Sequence, residues 1–151
     1  MSDLDIRSAR PDDVPGIIAL VRAAYAPYVG RIGQEPAPMQ ADYATLVDEG
    51  VVFVLPGVGR LRAAIVMMPE ANHLFLENIA VHPEEQGQGL GRQLMAWVDD
   101  QARALGLVAV ELYTNELMTE NLAFYPRLGY VEVDRRLDDG FRRVFMRKPL
   151  V

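Results

Sequence analysis

Apolar residues recur along this chain with two different spacings, and their alternation sets out the elements. Leu4-Asp5-Ile6-Arg7 alternates like a short strand. Arg10-Pro11-Asp12-Asp13 then supplies helix-start chemistry for a stripe of Val14, Ile17, Ile18, Val21 and Tyr25. Pro27 and Gly30 are expected to end or kink that helix, residues 31–38 to form a loop, and residues 39–48 to offer a second helix. Residues 51–55 have the composition of a buried strand, Pro56-Gly57-Val58-Gly59 reads as a turn, and residues 61–68 return as the hairpin partner.

Residues 73–81 read as another strand, closed by His82-Pro83. After a glycine-rich stretch, Leu90, Leu94, Trp97, Val98, Ala102 and Leu105 mark one face of a long amphipathic helix capped by Gly106. Residues 108–113 give a further strand, and a helix capped by Thr119 runs towards Pro126. Residues 130–137 and 141–148 pair around Asp138-Asp139-Gly140, a strong hairpin signal. The order β-α-α-β-β-β-α-β-α-β-β predicts a mixed α/β sheet with helices on its faces. No internal repeat or long linker divides it, so residues 1–151 are expected to form a single domain.

Composition narrows the class. Half of the 151 residues are hydrophobic and 24% are charged, enough to bury a core. The absence of cysteine excludes a disulfide framework, thiolate zinc and a thiol nucleophile, and it fits a reducing cytoplasm. No apolar run approaches the roughly 20 residues of a membrane span, and Met1 to Asp5 is acidic rather than signal-like, so a soluble cytoplasmic protein is expected. Fifteen basic against twenty-one acidic residues give a net charge of −6, which argues against nucleic acid as a partner. Arg135-Arg136 and Arg142-Arg143 merely flank the hairpin turn. His73 and His82 lack paired spacing, so no metal site is expected.

The segment from Leu76 to Arg92 carries the chemistry. A strand enters a glycine-rich turn that opens directly into a long helix. Glycines let a backbone approach a ligand closely, and first-turn N–H groups with the helix dipole form an anion site. Gly87-Gln88-Gly89-Leu90-Gly91 is not G-x-G-x-x-G, and no Gly-Lys-Ser/Thr follows for a nucleotide P-loop. It does match Gln/Arg-x-x-Gly-x-Gly/Ala, as Gln86-Gly87-Gln88-Gly89-Leu90-Gly91. With Phe124-Tyr125-Pro126-Arg127-Leu128-Gly129-Tyr130 in the right place near the end, the chain resembles the GNAT superfamily of acetyl-CoA-dependent N-acetyltransferases over nearly its whole length.

That resemblance implies a mostly antiparallel twisted sheet with a splay between two central strands. It implies acetyl-CoA as co-substrate, its pyrophosphate held by backbone amides of Gln86, Gly87, Gln88, Gly89, Leu90, Gly91 and Arg92. Ile79, Ala80 and Val81 would line the pantetheine arm and acetyl carbonyl. Asn115 and Asn121 are candidates for pantetheine contacts, although this chain carries Met118 where many members have Asn. By the same resemblance Tyr125 is the general acid. Its phenol, with an ordinary pKa of about 10, stays protonated at neutral pH and can donate to a thiolate.

For the base, Glu77 is the first choice, acting through an ordered water that Asn78 could hold. Period-two alternation puts Glu77 on one face with Phe75, Ile79 and Val81. His82 is a weaker candidate in a loop, and His73 is expected to be solvent-exposed. Tyr25, Tyr28, Arg31, Gln34 and Glu35 would bound an amine acceptor, either a small molecule or a protein amine. The resulting reading is N-acetyl transfer by direct attack through a tetrahedral intermediate. Its rivals are a non-catalytic acyl-CoA-binding or sensor domain and, further off, a dinucleotide-binding protein. The terminal hairpin offers an edge for a homodimer.

Overall fold

The computed structural model describes residues 4–150; the acidic start at Met1 to Asp3 lies outside them. Among the described residues seven strands, β1 (Arg7–Ser8), β2 (Val52–Pro56), β3 (Leu61–Pro69), β4 (His73–Val81), β5 (Ala109–Asn115), β6 (Val131–Asp138) and β7 (Phe141–Pro149), form one sheet in the order β1-β2-β3-β4-β5-β7-β6. Among the described residues four α-helices are interspersed with the strands, and the chain order of strands and α-helices is as expected. The β4–β5 pair is parallel. Its neighbours β1–β2, β2–β3, β5–β7 and β6–β7 are antiparallel, giving the expected mixed, mostly antiparallel sheet. No helix among the described residues is long and apolar enough to cross a membrane.

The described residues divide into two compact units, one of residues 4–67 and 78–97 and one of residues 68–77 and 98–150. In the first, β1 (Arg7–Ser8) is shorter than expected and leads into α1 (Val14–Ile32). A bidentate pair, Arg7 Nη1 to Asp13 Oδ2 at 2.8 Å and Arg7 Nη2 to Asp13 Oδ1 at 3.0 Å, fastens the strand to the helix start. Ile17, Leu20 and Val21 form the buried stripe of α1, while Ile18 turns out to be exposed. The helix runs on through Pro27 and Gly30 and stops at Gly33, contrary to expectation. Pro27 lies on the exposed face, where losing one backbone donor is tolerated.

The second helix is also shorter than expected. Ala37–Gln40 forms a 3₁₀ turn, and Asp42 accepts from the Thr45 N–H at 3.1 Å, which starts α2 at Tyr43 (Tyr43–Asp48). β2 (Val52–Pro56) and β3 (Leu61–Pro69) pair as the predicted hairpin. Val52, Val54 and Ala63 to Val66 fill the core with Leu90 and Leu94 from the start of α3 (Leu90–Ala104), and Phe53 packs 5.5 Å from the Trp97 ring.

In the second unit, β4 (His73–Val81) contributes its first half, pairing His73–Leu76 with Ala109–Leu112 of β5 (Ala109–Asn115). β5 pairs along its whole length with β7 (Phe141–Pro149). β6 (Val131–Asp138) forms the outer strand and turns into β7 through Asp139 (φ 53°) and Gly140 (φ 81°). Two left-handed residues make the type I′ turn that matches strand twist. Between β5 and β6, α4 (Thr119–Arg127) begins with Met118 at the cap and Thr119 already helical, a correction of one residue. Pro126 lies inside α4, one residue before its end at Arg127. Leu74, Val98, Val110, Leu112 and Val144 are fully buried here.

Candidate functional site

In the first unit, Asn78 to Val81 carry β4 towards the glycine-rich turn. Ala80 is buried, with Ile79 and Val81 on the half-buried alternate positions. Past Val81 the chain folds through a 3₁₀ turn at Pro83–Glu85, where His82 Nδ1 accepts from the Glu84 N–H at 3.1 Å. His82 therefore caps a turn. The Gln86 side chain reaches back, its Nε2 donating to the Val81 carbonyl at 3.1 Å.

Gln86 to Gly89 are exposed and Leu90 is buried, so the loop is pinned at its helical end. Gly87 and Gly89 both sit at φ 80°, in the left-handed region, with open space where a Cβ would lie. The demand for glycine there is conformational rather than steric. Gln93 N–H donates to the Gly89 carbonyl at 3.2 Å, opening the helical ladder. The N–H groups of Leu90, Gly91 and Arg92 precede that bond and have no carbonyl one turn back within the helix. Aligned with the helix dipole, they suit a phosphate or pyrophosphate.

Asn78 is buried, and both ends of its amide are bonded. Its Oδ1 accepts from the Tyr25 hydroxyl at 2.8 Å, and its Nδ2 donates to the Tyr43 hydroxyl at 2.9 Å. Tyr43 in turn donates to the Pro38 carbonyl at 2.6 Å, and the Tyr25 hydroxyl lies 3.0 Å from the Ile79 carbonyl. Tyrosines from α1 and α2 thus converge on the residue before Ile79. Tyr25 projects onto β4. Tyr28 packs at 6.4 Å from Tyr25, and the Arg31 guanidinium lies 4.9 Å over Tyr28.

In the second unit, Glu77 lies on the half-buried positions of β4 with Phe75, as the alternation predicts. Its Oε1 accepts from the Tyr113 hydroxyl at 3.0 Å. The Tyr113 ring packs 5.9 Å from both Phe75 and Phe145. Arg143, itself buried, lies 4.0 Å over the same ring and donates to Asp138 at 2.9 Å. Burial, and after it the Glu77 charge, pushes the Tyr113 phenol up, so it stays a donor. His73 is not free in solvent as expected, since its Nε2 lies 3.6 Å from Glu111.

Tyr125 on α4 is buried, edge-on to Phe124 at 5.3 Å and to Tyr130 at 5.6 Å. Its carbonyl accepts from the Tyr130 N–H at 3.2 Å, so the turn after α4 returns to the residue it must hold. Asn115 Oδ1 accepts from the Leu117 N–H at 2.9 Å, and Asn121 Nδ2 donates to Thr114 Oγ1 at 3.1 Å. Both asparagines brace the passage from β5 to α4. Tyr113, Arg143 and Tyr130 escaped the sequence reading as site components. Among the described residues, no group of three or more His, Cys, Asp or Glu could hold a metal ion.

Residues 46–132, more than half of the chain, match the Acetyltransferase (GNAT) domain. Among solved structures, the PaiA N-acetyltransferase from Thermoplasma acidophilum, in complex with coenzyme A, is similar at a TM-score of 0.81. It shares 17% identity over 99% of both chains. The ribosomal-protein-S18-alanine N-acetyltransferase from Escherichia coli gives a TM-score of 0.75 and 25% identity, over 96% of this chain and 92% of that one. By sequence, the amino-acid acetyltransferase of Edwardsiella ictaluri is 27% identical over 132 residues, 85% of this chain and 28% of that protein. The aminoalkylphosphonate N-acetyltransferase of Salmonella typhimurium is 38% identical over 55 residues, 36% of each. The matched segments thus span about a third of the length of these two curated relatives.

Proposed function

The chain belongs to the GNAT acetyltransferase family, and from that premise we propose that it moves an acetyl group from acetyl-CoA to a primary amine. The observation that carries this reading is the loop before α3. Gly87 and Gly89 hold a left-handed backbone, and three N–H groups precede the helical ladder, as a pyrophosphate requires. Relatives named as acetyltransferases of amino acids, aminoalkylphosphonates and a ribosomal protein support an amine acceptor, small or macromolecular.

In this reading Gln86 to Arg92 hold the pyrophosphate, and Ile79, Ala80 and Val81 line the thioester arm. Asn115 and Asn121 serve pantetheine through groups left over from their local bonds. The amine nitrogen attacks the thioester carbon while Glu77, through a water, takes its proton. The carbon–sulfur bond then breaks, and Tyr125 returns a proton to sulfur. Residues 1–151 act as one catalytic domain in the cytoplasm. A second copy would pair along β6, an edge strand, where Val131, Val133 and Leu137 are exposed.

Thermal unfolding with acetyl-CoA, and with NAD as the control nucleotide, tests the reading. At about 100 times its dissociation constant a ligand adds roughly 2.7 kcal/mol. For a domain of this size that is a rise of roughly 5–10 °C. A rise with acetyl-CoA alone, followed by thiol release in the presence of an amine, is the expected result. No rise would leave the glycine loop a mere turn, and binding with no thiol release from any amine would favour a binding-only domain.

A further inference from the structure

Two carboxylates stand immediately before the anion loop, where their charge would repel a pyrophosphate. Glu84 and Glu85 belong to the 3₁₀ turn that delivers the chain into Gln86. Each is met by an arginine, Glu84 by Arg60 from the turn before β3 and Glu85 by Arg62 at the start of that strand. Arg62 Nε donates to Glu85 Oε1 at 2.9 Å, and Arg60 Nη2 donates to Glu84 Oε2 at 3.0 Å while lying 3.6 Å from Glu85. The Glu85 side chain is 18% exposed, less open than a simple surface pair. The Arg62 hydrogen bond holds its carboxyl below the usual range, against the opposing effect of partial desolvation.

The backbone reinforces the pairing. The His82 N–H donates to the Arg62 carbonyl at 2.9 Å, fixing the strand beside the turn. At Gly57, in the β2–β3 turn, a Cβ would lie 2.8 Å from the Arg60 carbonyl oxygen and 2.8 Å from Arg62 Cγ. Only a residue without a side chain lets the hairpin close around the Arg62 stem.

Building on the pyrophosphate reading above, we propose that Arg60 and Arg62 are positioning residues that neutralise Glu84 and Glu85, so that the loop beyond can accept a diphosphate. Their guanidinium groups act on the carboxylates, not on the ligand. The proposal separates cleanly from direct phosphate binding, because removing a carboxylate then compensates for removing its arginine.

The test is calorimetric titration of free CoA into the parent, Arg62→Gln, Glu85→Gln and the double variant, each checked for an unchanged unfolding midpoint. Arg62→Gln is expected to raise Kd about three- to tenfold, as one unmasked charge near a diphosphate would do. Glu85→Gln should bind at least as tightly as the parent, and the double variant should return to within about twofold of it. Acetyl-pantetheine, which lacks the pyrophosphate, should show the same KM with all four proteins. A double variant as weak as Arg62→Gln would overturn the masking role, as would an unaffected single variant or a KM for acetyl-pantetheine that rises in parallel. A parent with no affinity for CoA would instead overturn the pyrophosphate reading, and this inference with it.

Discussion

The Tyr113 hydroxyl donates to Glu77 Oε1 at 3.0 Å, joining adjacent strands through their side chains. Burial keeps that phenol protonated, so it serves as the donor to the Glu77 carboxylate. Arg143 stacks on the other part of the same ring and is itself held by Asp138. The proposed base is thereby fixed in direction by a residue outside the reacting set.

Removing the donor should loosen the base without displacing it. Tyr113→Phe keeps the ring contacts to Phe75, Phe145 and Arg143 but leaves the carboxylate one hydrogen bond short. Without that bond the carboxylate is no longer held in one direction, so kcat should fall while the KM for acetyl-CoA holds. At neutral pH a loss of about 1 kcal/mol corresponds to a roughly fivefold drop in rate. A kcat equal to the parent's would separate Glu77 from the proton transfer.

Tyr125→Phe should split kinetics from folding. The aromatic contacts to Phe124 and Tyr130 survive the change, so the unfolding midpoint should hold. Removing a general acid costs roughly 10²- to 10⁴-fold in kcat, with little change in the KM for acetyl-CoA. Steady-state kinetics on one purified variant decides it, and a full kcat would pass the acid role to another group.

Gly89→Val with Gly91→Val should abolish CoA binding in a thermal-shift or calorimetric titration. At φ 80° a β-branched residue at position 89 is strained by about 1–2 kcal/mol, and the loop can relieve the strain only by leaving its left-handed shape. Affinity equal to the parent's would show that the loop backbone does not touch the ligand.

Acid should weaken the fold partly through Asp13. Hydrogen bonds from Arg7, ahead of the opposing effect of burial, hold its carboxyl below the usual range. A depressed folded pKa contributes stability above the unfolded value of about 3.9, and that contribution is lost as pH falls through the folded value. Asp13→Asn should lower the midpoint at pH 7 by about 2–4 °C, the effect of about 1 kcal/mol from a partly exposed pair. The gap between variant and parent should close as the pH drops below about 4. A gap independent of pH would assign the effect to packing.

The sequence yields those parts of the fold and site that depend on near neighbours. Period and turn chemistry are local, so the order of elements and the Asp139-Gly140 turn are legible, as is the glycine loop at the head of α3. Helix ends are less so. The passage of α1 through Pro27 reflects an exposed face that tolerates one missing bond, and the late start of α2 reflects the bond from Thr45 to Asp42. What escapes is pairing over distance. Glu77 and Tyr113 are 36 residues apart, Tyr25 and Asn78 are 53, and Arg62 and Glu85 are 23. Each pairing is set by strand register or helix docking, which no local pattern encodes.

Asn78 offers the sharpest stability test of that long-range packing. Its amide accepts from Tyr25 and donates to Tyr43, while the Tyr25 hydroxyl also lies within reach of the Ile79 carbonyl. Asn78→Ala removes both amide bonds and leaves a small buried void, with each phenol one partner short: Tyr25 keeps the Ile79 carbonyl and Tyr43 the Pro38 carbonyl. Leaving buried polar groups short of partners costs about 1–3 kcal/mol each, so the variant should unfold several degrees lower. Tyr25→Phe deletes one hydroxyl and leaves the Asn78–Tyr43 bond in place, so it should cost about 1 kcal/mol. The two changes share a partner, and Tyr25→Phe made on top of Asn78→Ala should therefore add less than it does alone. Strict additivity in denaturant unfolding would mean that the three side chains do not act as a unit, and that α1 and α2 are held to β4 by apolar packing alone.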